Sequence, residues 1–578
     1  MVAFLRFLCY ILIDEIKRVS QLPHMQKTSD GSLINLKSDL YVNEDNVAEI
    51  LLKNRGYTSE FFQASLRTSM PDPYSFVDME KAVIRIYDAI IAGQPIAILG
   101  DYDVDGISST CLFLRFCRDI GVCCEYTIPN RMDEGYGLSI SNIEKYKNHL
   151  IIAVDCGSSS AVELAYAKEN NIDVIVIDHH KMNSIPEGAV AIVNPHRPDE
   201  SEQFTYLCAG GVTFMCLVGL NRLLKERNFS KHPTTLKDYL DLVALATVCD
   251  SVPLVDLNRA FVINGLKVIQ QKKNFGISAL LALGDKNEIT SETIAFFIGP
   301  HLNAAGRLST ADISVRLLMS ENSADAIRIA QELFALNKER QELEASVVEE
   351  IISSELQEEQ NIICAFNSDW HVGVIGIAAG RLKEKYNKPA IVISCDSNGA
   401  GKASCRSVDS LDISQVVKKA IGKGIISSGG GHFMAAGFTI PVEHIPALKK
   451  FLNNEIVFEK QQKTIDINAR VTVSDISFEF IRQVNLLAPF GEGNRAPLFL
   501  IPDVKISSRQ ILKDQHISTM LLDDYGCSIK GIAFRCVGSR LGDILLNTYN
   551  KISVLGELSI STWRNNKYLN LLIKDAIV

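Results

Sequence analysis

No two of the 14 cysteines in this 578-residue chain stand at C-x-x-C spacing, which removes the usual signature of a structural zinc site or a redox pair. Cys111, Cys117, Cys156 and Cys249 lie within apolar surroundings and read as buried, reduced thiols of a cytoplasmic protein. Positive charge is also scarce: Lys and Arg total 59 against 68 Asp and Glu, a net charge of −9, which excludes a broadly basic nucleic-acid binder while leaving room for a local basic groove. The glycine-rich run Ser427-Ser428-Gly429-Gly430-Gly431-His432 is not followed by Gly-Lys-Ser/Thr, so a P-loop nucleoside triphosphatase is disfavoured. The apolar stretch Met1 to Ile13 ends at Asp14 and Glu15, too short to span a bilayer and without a cleavage site. It reads as an amphipathic helix or an upstream-extended start, and no membrane partner is expected. There is no internal repeat and no low-complexity tract.

What is present is acidic and local. Gly100-Asp101-Tyr102-Asp103-Val104-Asp105-Gly106, a lone Asp155, and Asp178-His179-His180 each directly follow a short apolar run: Ile96 to Leu99, Ile151 to Val154 and Val174 to Ile177. Such β-branched runs read as fully buried strands of a parallel sheet, whose carboxyl ends face the ligand crevice. One Asp after one strand is more often a cap or turn residue. Three strands ending this way, one with paired histidines, point instead to carboxylates brought together and needing a cation. Mixed Asp and His donors favour Mn²⁺ or Mg²⁺, and two such ions can activate water and clamp the leaving oxygen of a phosphoester. The residues alone thus indicate a two-metal phosphodiesterase or phosphatase.

Length predicts several domains. Residues 1–78 form an N-terminal extension broken by Pro71-Asp72-Pro73. Over 79–320 strands alternate with helices, the rhythm of a doubly wound α/β sheet. A connecting helix spans 321–358, with Ile327, Ala330, Leu333, Phe334 and Leu343 at helical spacing. A smaller α/β domain occupies 359–458, and 464–578 reads as β-rich.

Further polar residues are weaker signals. Asp250 ends the apolar helical segment Leu240 to Cys249, and Gly299 to Leu308 packs small residues around Asn303 and Arg307. Ala403-Ser404-Cys405-Arg406-Ser407 and the glycine-rich run offer hydroxyl, guanidinium and backbone donors suited to phosphate.

In order along the chain, these motifs resemble the DHH phosphoesterase superfamily, and within it the single-strand-specific 5′→3′ DNA exonucleases. The match runs from about residue 50 onward and includes Val77 to Ala82, Ile128-Pro129-Asn130-Arg131, Ala209 to Val212 and Cys249 to Leu254. The resemblance implies Asp103, Asp105, Asp155, His179 and Asp250 as ligands of two ions, with Asp155 bridging and Asp101 assisting. It implies His180 at the scissile phosphate and Arg307 stabilising the transition state. Arg131, Ser404 and Arg406 would receive the 5′ end, with Asn303 and His432 also binding substrate. Leu487 to Asn494 resembles the lead into a C-terminal OB-fold, with Phe490, Phe534, Tyr549, Trp563 and Tyr568 as candidate stacking residues. Implied partners are single-stranded DNA, a helicase and a single-strand-binding protein, and the chain is expected to act as a monomer in DNA repair and recombination. Two departures stand out. His301 replaces an arginine, which would soften contact with DNA, and Gly401 to Arg406 is a loose version of the arginine element. A shorter DHH oligoribonuclease or cyclic-dinucleotide phosphodiesterase would lack the OB-like tail, and a decayed scaffold would lack ligands.

Overall fold

The computed structural model describes residues 27–38, 40–130, 137–231, 235–354, 361–456, 463–563 and 566–578. The apolar N-terminal stretch and Arg131 lie outside them. The chain divides into two compact units, one of residues 1–64, 461–490 and 494–578, the other of residues 65–460 with 491–493.

In the first unit, strand β1 (Leu33–Leu36) pairs in parallel with β12 (Thr464–Ile467), so two segments far apart in sequence share one sheet. Beyond β13 (Ala469–Arg470), five strands follow: β14 (Phe499–Leu512), β15 (His516–Leu522), β16 (Ser528–Ala533), β17 (Ile552–Trp563) and β18 (Asn566–Ile577). They run in the order β14-β15-β16-β18-β17, and β17 pairs back onto β14, closing a barrel. The β16–β18 pair is parallel and the other pairs of this ring are antiparallel. This closed five-stranded ring, with a helix (Arg540–Asn547) before β17, has the architecture of an OB barrel. Alternation along the strands sends Phe499, Ile501, Ile517, Leu521, Val554 and Leu571 into one core.

The second unit opens with a parallel sheet of β2 (Ile96–Gly100), β3 (Cys124–Thr127), β4 (Leu150–Val154), β5 (Val174–Ile177) and β6 (Ala191–Val193), ordered β3-β2-β4-β5-β6. Successive residues of these strands feed opposite cores. Ile98, Ile152, Val154, Ile175 and Ile177 pack beneath the helices Met79–Ala92, Val104–Ile120 and Ala209–Glu226. Leu99, Ile151, Ala153, Val174 and Val176 face the other way, with Ile143 and Leu164. Burial on both faces explains the unbroken apolar runs and makes this a doubly wound α/β sheet. The chain goes from β2 outward to β3 and then back across to β4, so the strand order reverses beside β2, where such sheets open their ligand crevice.

The helix Ser323–Ser354 contains 32 residues, about 48 Å at 1.5 Å per residue. Its first half buries Ala326, Ile329, Ala330 and Leu333 in the core beneath the parallel sheet, and its second half buries Val347 and Ile351 in that of the next lobe. The expected register is corrected at one position: Ile327 is 45% exposed, and Ile329 takes the buried place. The lobe it leads to has a mixed sheet in the order β10-β11-β9-β8-β7, made of β7 (Ile363–Asn367), β8 (Ala390–Cys395), β9 (Ala400–Arg406), β10 (Ser428–His432) and β11 (Ala435–Pro441). The glycine-rich run therefore forms an edge strand.

Candidate metal centre and flanking clefts

Asp101 follows β2, Asp155 follows β4 and Asp178 follows β5, so all three stand at the carboxyl end of the parallel sheet, on either side of the switch point. Asp103 begins the helix Val104–Ile120 and caps it, its Oδ1 accepting from the backbone N–H of Asp105 at 2.9 Å and of Gly106 at 3.2 Å. The turn has no room for a larger residue: a Cβ on Gly106 would lie 2.6 Å from backbone atoms of Asp101. Asp105 is buried in the first turn, where its oxygens accept from Ala209 N–H at 2.8 Å and Gly210 N–H at 2.7 Å at the start of the helix Ala209–Glu226. That N-terminus favours negative charge. Asp250 arrives from the far end of the apolar helix Leu240–Cys249 as its C-terminal cap.

These residues converge. His179 Nε2 lies 3.4 Å from Asp155, 3.6 Å from Asp250 and 3.7 Å from Asp105. Three donor groups can be drawn, Asp105/His179/Asp250, Asp155/His179/His180 and Asp101/Asp103/Asp155, each with its ligand atoms within 4.8 Å of one another. Asp155 belongs to two of them. Burial, and then the charges of Asp105, Asp103, Asp101 and Asp178, push the Asp155 carboxyl well above the usual range. Burial and the same neighbours, Asp105 and Asp103, push Asp250 up to about 9. Burial likewise raises Asp105, although the His179 charge pulls in the other direction. So many buried acids are costly without a counter-charge, and a divalent cation supplies one and holds them ionised. An oxygen-rich donor set with one or two imidazoles and no thiolate fits Mn²⁺ or Mg²⁺.

Asp178, part of the sequence motif but not a predicted ligand, has a different task. Its Oδ1 accepts from the backbone N–H of His179 at 2.7 Å and of His180 at 3.2 Å, and sits 2.7 Å from His180 Nδ1, while Oδ2 accepts from Ser158 N–H at 3.1 Å. Burial opposes its charge, yet these bonds and the histidines carry it below the ordinary carboxylate range. Burial also opposes charge on His180, but the bond to Asp178 and the surrounding carboxylates raise the ring to about 9. Asn194, fully buried just past β6, completes the support by donating to His180 O at 2.9 Å and Ser158 Oγ at 2.7 Å. Nothing in the sequence marks Asn194, because a lone Asn after a strand is an ordinary turn residue.

Gly299 to Leu308 is a helix. Its Gly306 approaches the acidic loop so closely that a Cβ would lie 2.8 Å from Tyr102 O. Arg307, next in line, donates from Nη1 to Gly373 O of the second lobe at 3.4 Å. Asn303 and Arg307 line a cleft of about 290 Å³. A second cleft, of about 470 Å³, is lined by Tyr102, Gly376, Lys402, Ser404, Arg406, Ser428 and Gly429 among others. There Arg406 Nη1 donates to Ser404 Oγ at 3.3 Å and to Cys405 O at 2.8 Å. Ser404 and Arg406 are thus together, and Tyr102 links their cleft to the acidic loop. His432 stands apart, exposed at the end of the edge strand β10, its Nδ1 accepting from Met434 N–H at 3.3 Å.

His301 requires a correction. It is buried, with Nδ1 2.7 Å from Phe297 O and its ring 4.2 Å from that of Phe334, so it packs the helix Gly299–Leu308 onto the long helix and is not presented at the surface. In the barrel, Phe534, Tyr549 and Tyr568 are exposed, whereas Phe490 is half-buried with the Arg55 guanidinium 5.8 Å from its ring centre. The Trp563 side chain falls outside the described residues.

Comparison with known proteins gives a concordant picture. The chain matches the models of the DHH family N-terminal domain over residues 95–247, the DHHA1 domain over 359–457 and the RecJ OB domain over 467–575. It is 32% identical to the single-stranded-DNA-specific exonuclease RecJ of Bacillus subtilis, covering 96% of this chain and 70% of that protein. The Haemophilus influenzae protein of the same name is also 32% identical, over 87% of this chain and 91% of that one. The crystal structure of RecJ in complex with Mn²⁺ from Thermus thermophilus is similar with a TM-score of 0.78 at 26% identity, covering 92% of this chain and 76% of that one. Its complex with Mg²⁺ gives 0.73 at 25% identity, covering 92% and 74%.

Proposed function

The chain belongs to the RecJ family of single-stranded-DNA-specific exonucleases, and we propose that it hydrolyses single-stranded DNA from the 5′ end, releasing 5′-mononucleotides. It is a metal-dependent phosphodiester hydrolase using Mn²⁺ or Mg²⁺. The observation that carries this reading is the convergence of His179 on three buried carboxylates at the switch point of the sheet. Asp103, Asp105, Asp155, His179 and Asp250 would hold the ions, with Asp101 beside them. When bound, the two ions supply Lewis acidity at the scissile phosphate and make water nucleophilic at neutral pH.

The protein's own groups do the rest. Asp155, common to two donor groups, would be shared between the ions. Asp178 fixes the orientation of the His180 ring, so that His180 is directed at the scissile phosphate. Arg307 offers a positive charge where negative charge builds in the transition state. Ser404 and Arg406 receive the 5′-terminal phosphate, together with Arg131, and Asn303 contacts the strand, with His432 in reach of a strand that runs the whole length of β10. Clefts of about 290 and 470 Å³ suit single nucleotides, which is the basis proposed for rejecting duplex. The barrel adds grip through its exposed aromatics.

In this reading 79–320 is the catalytic domain, 321–358 the connecting helix, 359–458 the substrate-binding domain and 464–578 the OB domain, with 1–78 an extension. Among the described residues no helix is long and apolar enough to cross a membrane. We assign the activity to DNA repair and recombination, carried out by a cytoplasmic monomer on strands supplied by a helicase and a single-strand-binding protein.

The test is a nuclease assay on single strands labelled at either end, run beside Asp155→Ala. The wild type should release the 5′ label first as mononucleotide, and the variant should fall to background. Undiminished activity in Asp155→Ala would remove the metal-site assignment, and early release of the 3′ label would reverse the polarity. Digestion of blunt duplex at the single-strand rate would end the cleft argument.

A further inference from the structure

Phe296 is 81% exposed, although its neighbours in sequence are not. Ile294 and Ile298 are buried, and the Phe297 ring lies 4.7 Å from His301 and 5.8 Å from Phe334. The segment Ile294–Ile298 is a π-helical turn, a widening found frequently at functional sites. The turn leads into Gly299, where an added Cβ would lie 2.6 Å from Cys249 Sγ. That close approach fixes the aromatic beside the helix end that carries Asp250.

Phe296 forms part of the wall of the smaller cleft, with Ser251, Asn303, Arg307 and Arg340. Arg340 is held in place from its own helix, donating from Nε to Asn337 Oδ1 at 3.0 Å and from Nη1 to Glu344 Oε2 at 3.1 Å. The cleft thus joins one solvent-facing π surface to guanidinium groups already positioned, the combination that binds a single-stranded nucleotide without reading its base. It borders the metal cluster through Cys249 and Ser251, on either side of Asp250, whereas the cleft holding Ser404 and Arg406 borders it through Tyr102.

We propose that the cleft at Phe296 is the subsite for the nucleotide on the 3′ side of the scissile phosphodiester, its base stacked on Phe296 and its 3′-phosphate directed to Arg340. This rests on the functional reading above, with the 5′ end at Ser404 and Arg406. A strand passing from that cleft across the metal cluster reaches the Asp250 side next.

The experiment compares wild type, Phe296→Ala and Phe296→Tyr in the full chain with Mn²⁺, on 5′-phosphorylated oligothymidylate and on the same strand with an abasic site at the second nucleotide. Loss of one base–aromatic stack corresponds to roughly 5- to 150-fold in affinity. Phe296→Ala should therefore raise KM for the normal strand about tenfold, with kcat changing little, and Phe296→Tyr should keep the wild-type KM. The abasic site should penalise the wild type by a similar factor and add nothing to the penalty in Phe296→Ala. Equal KM for Phe296→Ala and wild type on normal strands would overturn the subsite, as would an abasic penalty of the same size in both. A wild type that leaves single-stranded DNA intact would overturn the functional reading and the subsite with it, whereas an active wild type with an indifferent Phe296→Ala overturns the subsite alone. Thermal unfolding of Phe296→Ala should match the wild type, because the exposed ring contributes little packing.

Discussion

The two sheets of the larger unit carry polar residues on different parts of their strands. In the parallel sheet, Asp101, Asp155 and Asp178 stand just beyond the ends of β2, β4 and β5, and the strands themselves are wholly apolar. In the mixed sheet, Lys402, Ser404 and Arg406 stand along β9 itself, alternating with buried Gly401, Ala403 and Cys405. Strand ends that converge at a switch point can bring several charges within a few ångströms of one another, which is what a metal centre requires. One face of a strand spaces its side chains two residues apart, which suits a phosphate recognised by a hydroxyl and a guanidinium. The first arrangement concentrates charge for chemistry; the second distributes donors for binding.

If that division is right, damage on the two sides should separate into different kinetic constants. Arg406→Ala removes a charge-assisted contact of about 1.5–3 kcal/mol, or roughly 10- to 150-fold in kcat/KM. The loss should appear on 5′-phosphorylated strands and largely vanish on 5′-hydroxyl strands. An equal loss on both would mean that Arg406 does not read the terminal phosphate. On the other side, Asp178→Asn leaves every proposed ion ligand in place and removes the charge that orients His180. Partners that orient site residues typically contribute about 10- to 100-fold. The drop should fall on kcat, with binding of Mn²⁺ by titration calorimetry nearly unchanged. A variant that failed to bind Mn²⁺ would instead place Asp178 in the ligand set.

The same contrast decides what could be read from the sequence. Acidic residues directly after apolar runs are visible one strand at a time, so the catalytic sheet and its carboxylates were legible, as was Asp250 at the end of its apolar helix. Asn194 was not, since its role exists only through His180 and Ser158, residues 14 and 36 positions away. His301 was misread because the helix Gly299–Leu308 turns that position toward Phe334, and spacing alone does not say which face of a short helix is covered. Ile327 and Ile329 differ for the same reason: a long helix that changes from one core to another does not keep a single apolar stripe. The β1–β12 pairing joins residues more than 400 apart, and short strands at that separation carry no local signal for each other.

The smallest effect concerns His432, where the sequence and the structure point in different directions. The Gly-Gly-His element resembles a binding element, yet β10 is an edge strand and every one of its residues is exposed. Only the near end of this strand, Ser428 and Gly429, lines the larger cleft. An exposed side chain with one local hydrogen bond contributes within about 0.5 kcal/mol of nothing, so His432→Ala should change kcat/KM on a short oligonucleotide by no more than about twofold. If the strand instead runs the whole length of β10, its glycines would present backbone N–H groups to successive phosphates, and His432 would cover the last of them. In that case the loss in His432→Ala should grow as the substrate is lengthened from two nucleotides to ten, while a loss independent of length would restrict binding to the cleft between Tyr102 and Arg406.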